Sequence, residues 1–191
     1  MILTQYFAPE IGATQIRLGA ISKALLHLGH SVEVVTALPN YPAGKIFPEY
    51  RGRFSCQEEI GGVKVHRVWA YPASGAGANR MLNYFSFLFT SLFALWRVPR
   101  PDILLVDSPP LFLSLPGFIA SRWWKTGMIF NVADLWPDEV REMGVLREGL
   151  VLRLAEYWEA WTYRHAKKVN AVTEGIRSRL IQKGVPEPKI L

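Results

Sequence analysis

Segments of strand length alternate with segments of helix length along most of this 191-residue chain. The first repeat shows the pattern: an apolar run ends at Phe7, apolar residues recur at helical spacing from Ile16 to Leu28, and an extended run follows at 31–36. Repeated alternation of this kind predicts an α/β fold with a doubly wound, mostly parallel, Rossmann-like sheet. Ligands of such sheets bind at the carboxyl ends of the strands, so site residues are expected there.

Later segments continue the alternation. The pair Gly61-Gly62 between two extended runs predicts a β-hairpin, and the unbroken apolar run at 102–107 is typical of a buried parallel strand. A helix is predicted from Glu148 to Lys168, with Glu159 among its polar positions. The residues of that helix expected to face the core are Leu150, Leu154, Tyr157, Trp158, Trp161 and His165.

The net charge narrows the possible partners, and the cysteine content bears on the cellular location. The formal net charge is +6, which favours anionic partners, but no run of Lys and Arg or basic aromatic motif indicates nucleic acid. The single cysteine, Cys56, excludes an internal disulfide and agrees with a cytoplasmic location. The N-terminus lacks a positive region before its apolar residues, so no signal peptide is predicted.

A charge-free aromatic segment covers residues 81–96 and is flanked by arginines. It is shorter than the roughly 20 apolar residues that a membrane-spanning helix needs. Two interpretations remain open: a buried crossover helix, or a helix that sinks partly into a membrane interface. The residues assigned to the interface in the second interpretation are Arg80, Phe85, Phe89, Trp96 and Arg97.

Candidate site residues follow three of the predicted strands. An arginine in a first helical turn can hold phosphate, and a carboxylate at a strand end can act as a general base or hold a sugar hydroxyl. Asp134 could equally cap a helix expected over 136–143. The candidates are Glu10, Gly12 and Arg17 after the first strand, Asp107 and Ser108 after the middle one, and Asp134 and Asp138 after the strand near residue 130.

Several common motifs are absent from the sequence. It contains neither the dinucleotide fingerprint G-x-G-x-x-G after the first strand nor the phosphate-binding loop G-x-x-x-x-G-K-[ST]. It also lacks H-E-x-x-H, a paired C-x-x-C and G-x-S-x-G. The sequence therefore predicts no bound cofactor and no metal site, and it disfavours dehydrogenases, P-loop enzymes, metalloproteases and α/β-hydrolases.

Four motifs, in order, resemble the N-terminal half of family-four, retaining glycosyltransferases of the GT-B fold. They are residues 6–13 (YFAPEIGA), 39–45 (PNYPAGK), 134–138 (DLWPD) and the stretch from Trp158 to Pro186 that contains YRHA, TEG and KGVP. Within that family the sequence is similar to bacterial enzymes of colanic-acid, capsule and O-antigen assembly. The resemblance covers nearly the whole chain, although each motif alone is weak.

This resemblance implies a single acceptor-side domain over residues 1–191, with the C-terminal donor-binding domain absent and the chain inactive alone. It implies metal-independent transfer of a sugar, with retention, from a nucleotide-sugar to a glycan acceptor, expected to be lipid-linked and at the cytoplasmic face of the membrane. Asp134 is the expected catalytic residue, because Asn131-Val132-Ala133 stands where the family often has a histidine. Gly12 and Ala13 are expected near the donor phosphates, while Arg17 and Asn40 complete the predicted substrate-binding set.

Two other functions remain as alternatives. The chain could be a non-catalytic membrane-docking or binding module of a transferase complex, which the aromatic segment would also suit. A nucleotide-sugar epimerase of the same general shape is disfavoured because the dinucleotide fingerprint is missing.

Overall fold

The computed structural model describes residues 1–75, 77–138 and 149–191. The chain divides into two compact units, residues 1–101 and residues 102–191, and each is described separately below. The helix expected over 136–143 falls largely outside the described residues, as does the predicted start of a later helix at Glu148.

The described part of the first unit contains four strands and two α-helices. Strand β1 covers Ile2–Leu3, helix α1 Ala13–His27, strand β2 Glu33–Ala37, strand β3 Ser55–Ile60, strand β4 Val63–Val68 and helix α2 Ala78–Leu95. The predicted hairpin is confirmed, since β3 and β4 pair antiparallel with Ile60 opposite Val63. Both turn glycines adopt positive φ, 58° and 82°, which a two-residue hairpin of this kind favours.

The strands of the first unit lie in the order β3-β4-β2-β1, and β4, β2 and β1 are parallel. Their apolar side chains form the core: Leu3, Val34 and Val65 are completely buried together with Leu18 of α1. Parallel strands place their carboxyl ends at one edge of the sheet. The loops after β1, β2 and β4 therefore leave from the same edge, and the first two of these loops carry the candidate residues Glu10, Gly12 and Asn40.

In the second unit, residues 102–138 and 149–191 form three strands and three α-helices. Strand β5 covers Ile103–Ser108, helix α3 Ser114–Trp124, strand β6 Gly127–Val132, helix α4 Leu150–His165, strand β7 Lys168–Ala171 and helix α5 Glu174–Gln182. All three strands are parallel, in the order β5-β6-β7. Thr173 caps α5, because its hydroxyl accepts a hydrogen bond from the Ile176 N–H at 3.2 Å.

The predicted fold class is confirmed. Parallel strands joined by helices recur in both units, and among the described strands only β3 runs antiparallel. Helix α3 packs closely on its strand, because a Cβ atom at Gly117 would lie 2.5 Å from Val106.

Two helices bury faces other than those the apolar spacing predicts. On α1, Ile16 and Leu28 are exposed, whereas the buried residues include Gln15 and Leu18. On α4, Leu150, Leu154, Tyr157 and His165 are exposed, and the polar Glu159 is buried instead. A cation at the C-terminal end of the following helix reaches this carboxylate: Lys183, the residue after α5, donates to Glu159 at 2.6 Å. The burial of this glutamate depends on a partner that lies far away in sequence, so periodicity alone cannot identify the buried face.

Candidate functional site

Glu10 lies in the loop between β1 and α1 and is 3% exposed. Its carboxylate accepts hydrogen bonds from the backbone N–H groups of Asn40 at 2.9 Å, Tyr41 at 2.8 Å and Phe7 at 3.3 Å. Burial raises the pKa of this carboxyl, and the same three N–H groups and the charge of Arg67 oppose that rise. Glu10 thus joins the loop after β1 to the loop after β2.

Arg67 of β4 also ties strand ends together, and its side chain is completely buried. It donates hydrogen bonds to the carbonyl of Ala8 in the first loop, to the carbonyl of Ala37 at the end of β2 and to the Glu58 carboxylate on β3. Its guanidinium lies 5.3 Å from the centre of the Tyr50 ring. The planar, five-donor guanidinium suits this site because it can serve several acceptors at once.

Replacing Arg67 with Met is expected to lower the free energy of unfolding by about 2 to 3 kcal/mol, because charge-assisted hydrogen bonds are lost and buried carbonyls lose a donor. Urea denaturation followed by circular dichroism measures this change. Lys64→Met is the control, since Lys64 is exposed on the same strand. Equal stabilities of the two variants would contradict the structural role of Arg67.

The predicted phosphate-side residues surround the start of α1. Gly12 precedes the helix, and its carbonyl accepts a hydrogen bond from the Ile16 N–H at 3.0 Å. A Cβ atom at Gly12 would lie 2.7 Å from the side-chain oxygen of Gln15, so the backbone is closely approached there. Ala13 is exposed and Arg17 is half-buried. These residues place backbone groups and a cation near the helix N-terminus, where anions bind favourably.

Asn40 lies in the loop after β2 and is 1% exposed. Its side-chain amide donates to the Leu38 carbonyl at 3.0 Å. Its side-chain oxygen has no hydrogen-bond partner among the residues described. A buried acceptor without a donor is unfavourable, and a ligand hydroxyl could satisfy it.

An arginine and three tyrosines lie together at the same edge; we call them the Arg80 cluster. Arg80, in the first turn of α2, donates through Nε to the Tyr84 hydroxyl at 2.7 Å. Its charge also acts on Tyr6, which follows β1, and on Tyr41, which follows β2. The rings of Tyr6 and Tyr41 lie 5.6 Å apart. Burial raises the pKa of the Tyr6 hydroxyl, and the charge of Arg80 opposes that rise.

Polar residues connect this cluster to β1. Gln5 is completely buried, and its amide donates to the Asn83 side chain at 2.5 Å. Asn83 in turn donates to the Tyr71 carbonyl at 2.6 Å. The side-chain oxygen of Gln5 has no partner within the described parts of the chain. Two unsatisfied amide oxygens, those of Gln5 and Asn40, therefore belong to residues adjacent to the tyrosines of the Arg80 cluster.

The opposite side of α2 is apolar and exposed. Phe89 is 67% exposed and Trp96 is 68% exposed, while the guanidinium of Arg97 lies 3.9 Å from the centre of the Phe93 ring. Spacings of three and four residues place the exposed side chains on one helix face. The exposed apolar residues of α2 and its C-cap are Leu82, Phe85, Phe89, Phe93 and Trp96.

In the second unit, a polar ladder crosses the strand ends and is fully buried at Asp107 and Asn131. Asp107 on β5 accepts a hydrogen bond from Asn131 on β6 at 2.6 Å, and Asn131 accepts one from Asn170 on β7 at 2.5 Å. The three residues are opposite one another in the sheet register. Asp107 and Ser108 are both buried at the end of β5. The ladder fixes the orientation of the Asp107 carboxylate.

The two acidic residues after β6 differ in environment. Asp134 is exposed, two residues beyond the end of the strand. Asp138 is buried and accepts hydrogen bonds from Arg179 at 3.0 Å and Lys183 at 2.8 Å. Burial alone would raise the pKa of Asp138, but these two cations outweigh it and hold the pKa below its ordinary value. Asp134 is therefore the more accessible of the two carboxylates.

Across residues 1–75, 77–138 and 149–191, no group of three or more His, Cys, Asp or Glu side chains is arranged to hold a metal ion. No helix in these ranges combines the length and hydrophobicity that crossing a bilayer requires.

Ligands of Rossmann-like sheets bind at the carboxyl ends of the strands, where these carboxylates, amides and arginines lie. The chain belongs to the family described as the glycosyl transferase 4-like domain, whose model matches residues 12–191. It is 25% identical over 192 residues to an Escherichia coli (strain K12) protein described as "Putative colanic acid biosynthesis glycosyl transferase WcaI". That match covers 97% of this chain and 47% of the relative, so the chain spans about half of the relative's length.

Among solved structures, the chain is similar to the UDP-GlcNAc 2-epimerase from Methanocaldococcus jannaschii. The TM-score is 0.51 at 20% identity, and the match covers 100% of this chain and 45% of the epimerase. At this identity the likeness concerns the fold alone.

Sequence reasoning missed several residues that organise the candidate site. Arg67 was overlooked as a buried residue, although it alternates with Val63 and Val65, which are also buried. Asn83 was overlooked within an aromatic helix, where a lone amide signals a specific polar contact. Arg80 was assigned only to the membrane interface, because its tyrosine neighbours come from three separate parts of the chain.

Proposed function

We propose that this chain is the acceptor-binding half of a retaining glycosyltransferase that transfers a sugar from a nucleotide-sugar to a glycan acceptor during cell-surface polysaccharide assembly. The family match over residues 12–191 is the observation that most supports this proposal. The printed description of the E. coli relative agrees with it. The donor is bound mainly by a second domain outside these residues, and the chain alone is inactive.

The strand ends supply the groups that such a reaction needs. Gly12 and Ala13 at the start of α1 approach the donor phosphates, and Arg17 adds positive charge there. Glu10 positions Asn40, whose free amide oxygen suits a sugar hydroxyl. Transfer is metal-independent, because backbone N–H groups and cations stabilise the leaving diphosphate.

The polar ladder and the acidic loop of the second unit have separate roles in this proposal. Asp107, oriented by Asn131, and Ser108 contact substrate at the end of β5. The exposed carboxylate of Asp134 orients the acceptor hydroxyl. Asp138 acts on substrate indirectly, because Arg179 and Lys183 already engage both of its oxygens.

A transfer assay tests the proposed function. The complete reading frame that contains this chain is incubated with a panel of nucleotide-sugars and a lipid-linked glycan acceptor, and product is measured by mass spectrometry. We expect a product enlarged by one sugar with the donor's anomeric configuration retained. Nucleotide-sugar epimerisation, or binding with no turnover for any donor, would overturn the proposal, and the latter would favour the docking-module alternative.

The exposed face of α2 is the proposed contact with the cytoplasmic face of the membrane. Phe85, Phe89 and Trp96 enter the acyl-chain boundary, while Arg97 and Arg100 meet the lipid phosphates. No Asp or Glu lies between Glu59 and Asp102, so nothing in that stretch opposes an anionic surface. A lipid-linked acceptor would be delivered from this surface.

Replacing both Phe85 and Phe89 with Ser is expected to weaken binding to phosphatidylglycerol-containing vesicles at least about tenfold, because two apolar side chains no longer leave water. Vesicle sedimentation measures the change. Leu28→Ser is the matched control, since Leu28 is exposed in the same unit but at the end of α1. If the control lowers binding as much as the double substitution, or neither does, the α2 face is not the docking surface.

A further inference from the structure

A pocket of about 270 Å³ lies between the β3–β4 hairpin and the end of α2; we call it the hairpin pocket. One wall is formed by residues 55–57 of β3, the edge strand, and 66–68 of β4, and the other by Phe93, Ala94, Arg97 and Val98. Pockets for drug-sized ligands usually enclose roughly 300 to 1,000 Å³. The hairpin pocket therefore suits a small group better than a ligand as large as a nucleotide-sugar.

Arg97 gives the hairpin pocket a positive charge that no carboxylate balances. The other arginine in its walls, Arg67, is paired with Glu58. Arg97 pairs with no acidic residue among those described, and its guanidinium lies instead over the Phe93 ring, 3.9 Å from the ring centre. A guanidinium stacked on an aromatic face keeps its N–H groups for the two-point contact that arginine makes with phosphate oxygens. The pocket is thus suited to an anionic group.

Two polar side chains of β3 can bind hydroxyl groups next to this cation. Ser55 and Gln57 both line the hairpin pocket, and both are exposed. The Gln57 amide is held in place by the His66 ring, whose Nδ1 lies 2.9 Å from the amide nitrogen. His66 in turn binds Glu33 through Nε2 at 2.7 Å. A fixed amide and a serine hydroxyl offer both donors and acceptors to a ligand hydroxyl.

Phe93 connects the hairpin pocket to the exposed apolar face of α2. Its ring lies 6.1 Å from that of Phe54, and it is one helical turn beyond Phe89, so the two side chains share a face. Phe93 is 36% exposed and Phe89 is 67% exposed. A ligand whose anionic end occupies the pocket can therefore lay an apolar chain along these two rings. This combination of charge, hydroxyl-binding groups and apolar surface matches an anionic phospholipid.

We propose that the hairpin pocket binds the headgroup of a single anionic phospholipid whose headgroup carries hydroxyls, as phosphatidylglycerol does. Arg97 holds the lipid phosphate, while Gln57 and Ser55 bind the headgroup hydroxyls. One acyl chain follows Phe93 and Phe89 toward the bilayer. This assignment deepens the proposed membrane contact of α2 and rests on it for the lipid surface, but it adds a selectivity for the headgroup that attraction to a charged surface does not give.

Vesicles of equal charge test the selectivity. One set contains phosphatidylglycerol and the other an equal fraction of phosphatidylethanol, which carries the same charge but no headgroup hydroxyl. Sedimentation is expected to show binding about three- to tenfold tighter to phosphatidylglycerol, the range of one or two neutral hydrogen bonds. Gln57→Ala should remove this preference and leave binding to phosphatidylethanol unchanged. Equal binding of the unsubstituted protein to both lipids would overturn the proposal.

Two arginine variants separate the hairpin pocket from net charge. Arg97→Gln is expected to weaken binding to phosphatidylglycerol about tenfold and to remove the preference, because the headgroup is no longer held against Gln57. Arg100→Gln is the matched control, since Arg100 is also exposed but does not line the pocket. It should lower binding to both lipids by the same small factor and keep the preference. Identical behaviour of the two variants would reduce the effect to charge and overturn the pocket. Circular dichroism establishes that each variant is folded.

Cys56 reports whether the hairpin pocket is occupied. Its thiol is half-buried in the pocket wall, and mass spectrometry of its peptide follows its reaction with N-ethylmaleimide. Short-chain phosphatidylglycerol, below its critical micelle concentration, is expected to slow this reaction severalfold in the unsubstituted protein but not in Arg97→Gln. Glycerol 1-phosphate should give no protection. Equal protection by glycerol 1-phosphate would make the ligand a free metabolite and overturn the lipid assignment.

The failure of this inference differs from the failure of the proposed membrane contact. If the short-chain lipid protects Cys56 in an Arg97-dependent way while no vesicle binds, the hairpin pocket stands and the membrane contact of α2 does not. If vesicles bind through Phe85 and Phe89 without any preference between the two lipids, the membrane contact stands and the pocket is wrong.

Discussion

Replacing Glu10 with Ala is expected to lower the free energy of unfolding by about 4 kcal/mol, more than the loss expected for Arg67→Met. Three backbone N–H groups, those of Phe7, Asn40 and Tyr41, lose their shared acceptor. Each buried donor left without a partner costs about 1 to 3 kcal/mol. Urea denaturation monitored by circular dichroism measures the change.

Glu10→Gln separates the acceptor role from the charge. The amide keeps one oxygen for Asn40 and Tyr41, and removing a buried charge offsets part of the loss, so we expect a cost of about 1 kcal/mol. Glu59→Ala is the control, because Glu59 is an exposed glutamate of the same unit. If Glu10→Ala weakens ligand binding but is as stable as Glu59→Ala, Glu10 is a direct ligand and not a link between loops.

Glu10 also has a pH dependence of predictable sign. Burial raises the pKa of this carboxyl above its unfolded value. Its contribution to stability is therefore greatest below the unfolded pKa and declines as the pH rises through the folded pKa. As the pH rises through that interval, the free energy of unfolding of the native chain should therefore fall relative to that of Glu10→Gln.

Replacing Asp134 with Ala in the complete reading frame is expected to reduce kcat/KM for sugar transfer by at least about 100-fold, the lower end of what general acid or base groups contribute. Asp134 is exposed after β6, so its removal should leave folding intact. Steady-state transfer kinetics with a saturating nucleotide-sugar measure the effect. The proposed role requires the loss to fall mainly on kcat.

Asp134→Asn tests the charge, since it preserves size and hydrogen-bonding capacity but cannot accept a proton as a carboxylate does. Asp102→Ala is the control, because Asp102 is an exposed aspartate that precedes β5, at the opposite end of its strand. Near-normal turnover in Asp134→Ala would remove Asp134 from the mechanism. A loss matched by Asp102→Ala would indicate a general effect of surface charge.

Asp134 and Asp138 lie close together in sequence but in different environments. Both were predicted as site residues because they follow the same strand in one short motif. Asp138 is held by two cations from the end of the chain, Arg179 and Lys183, which are 41 and 45 residues away in sequence. Sequence spacing places both carboxylates near the strand end, but it does not reveal that Asp138 is paired with two cations.

The order of strands and helices was determined by sequence alone. The unbroken apolar run at 103–106 is typical of a parallel strand, and the glycines at 29 and 61–62 mark a helix end and a turn through backbone freedom. These signals are local, so they are visible in any short window of the chain. The family resemblance followed in the same way from four local motifs.

Only the tertiary structure decided which polar groups are buried and which hydrogen-bond partners they have. Arg67 reaches Ala8 across 59 residues, Glu10 reaches Asn40 across 30, and Gln5 reaches Asn83 across 78. The burial of each depends on a partner that no local pattern identifies, because the cost of removing a polar group from water is cancelled only where a distant donor or acceptor meets it. For the same reason the Arg80 cluster, assembled from the ends of β1, β2 and α2, emerges only once the strands are brought side by side.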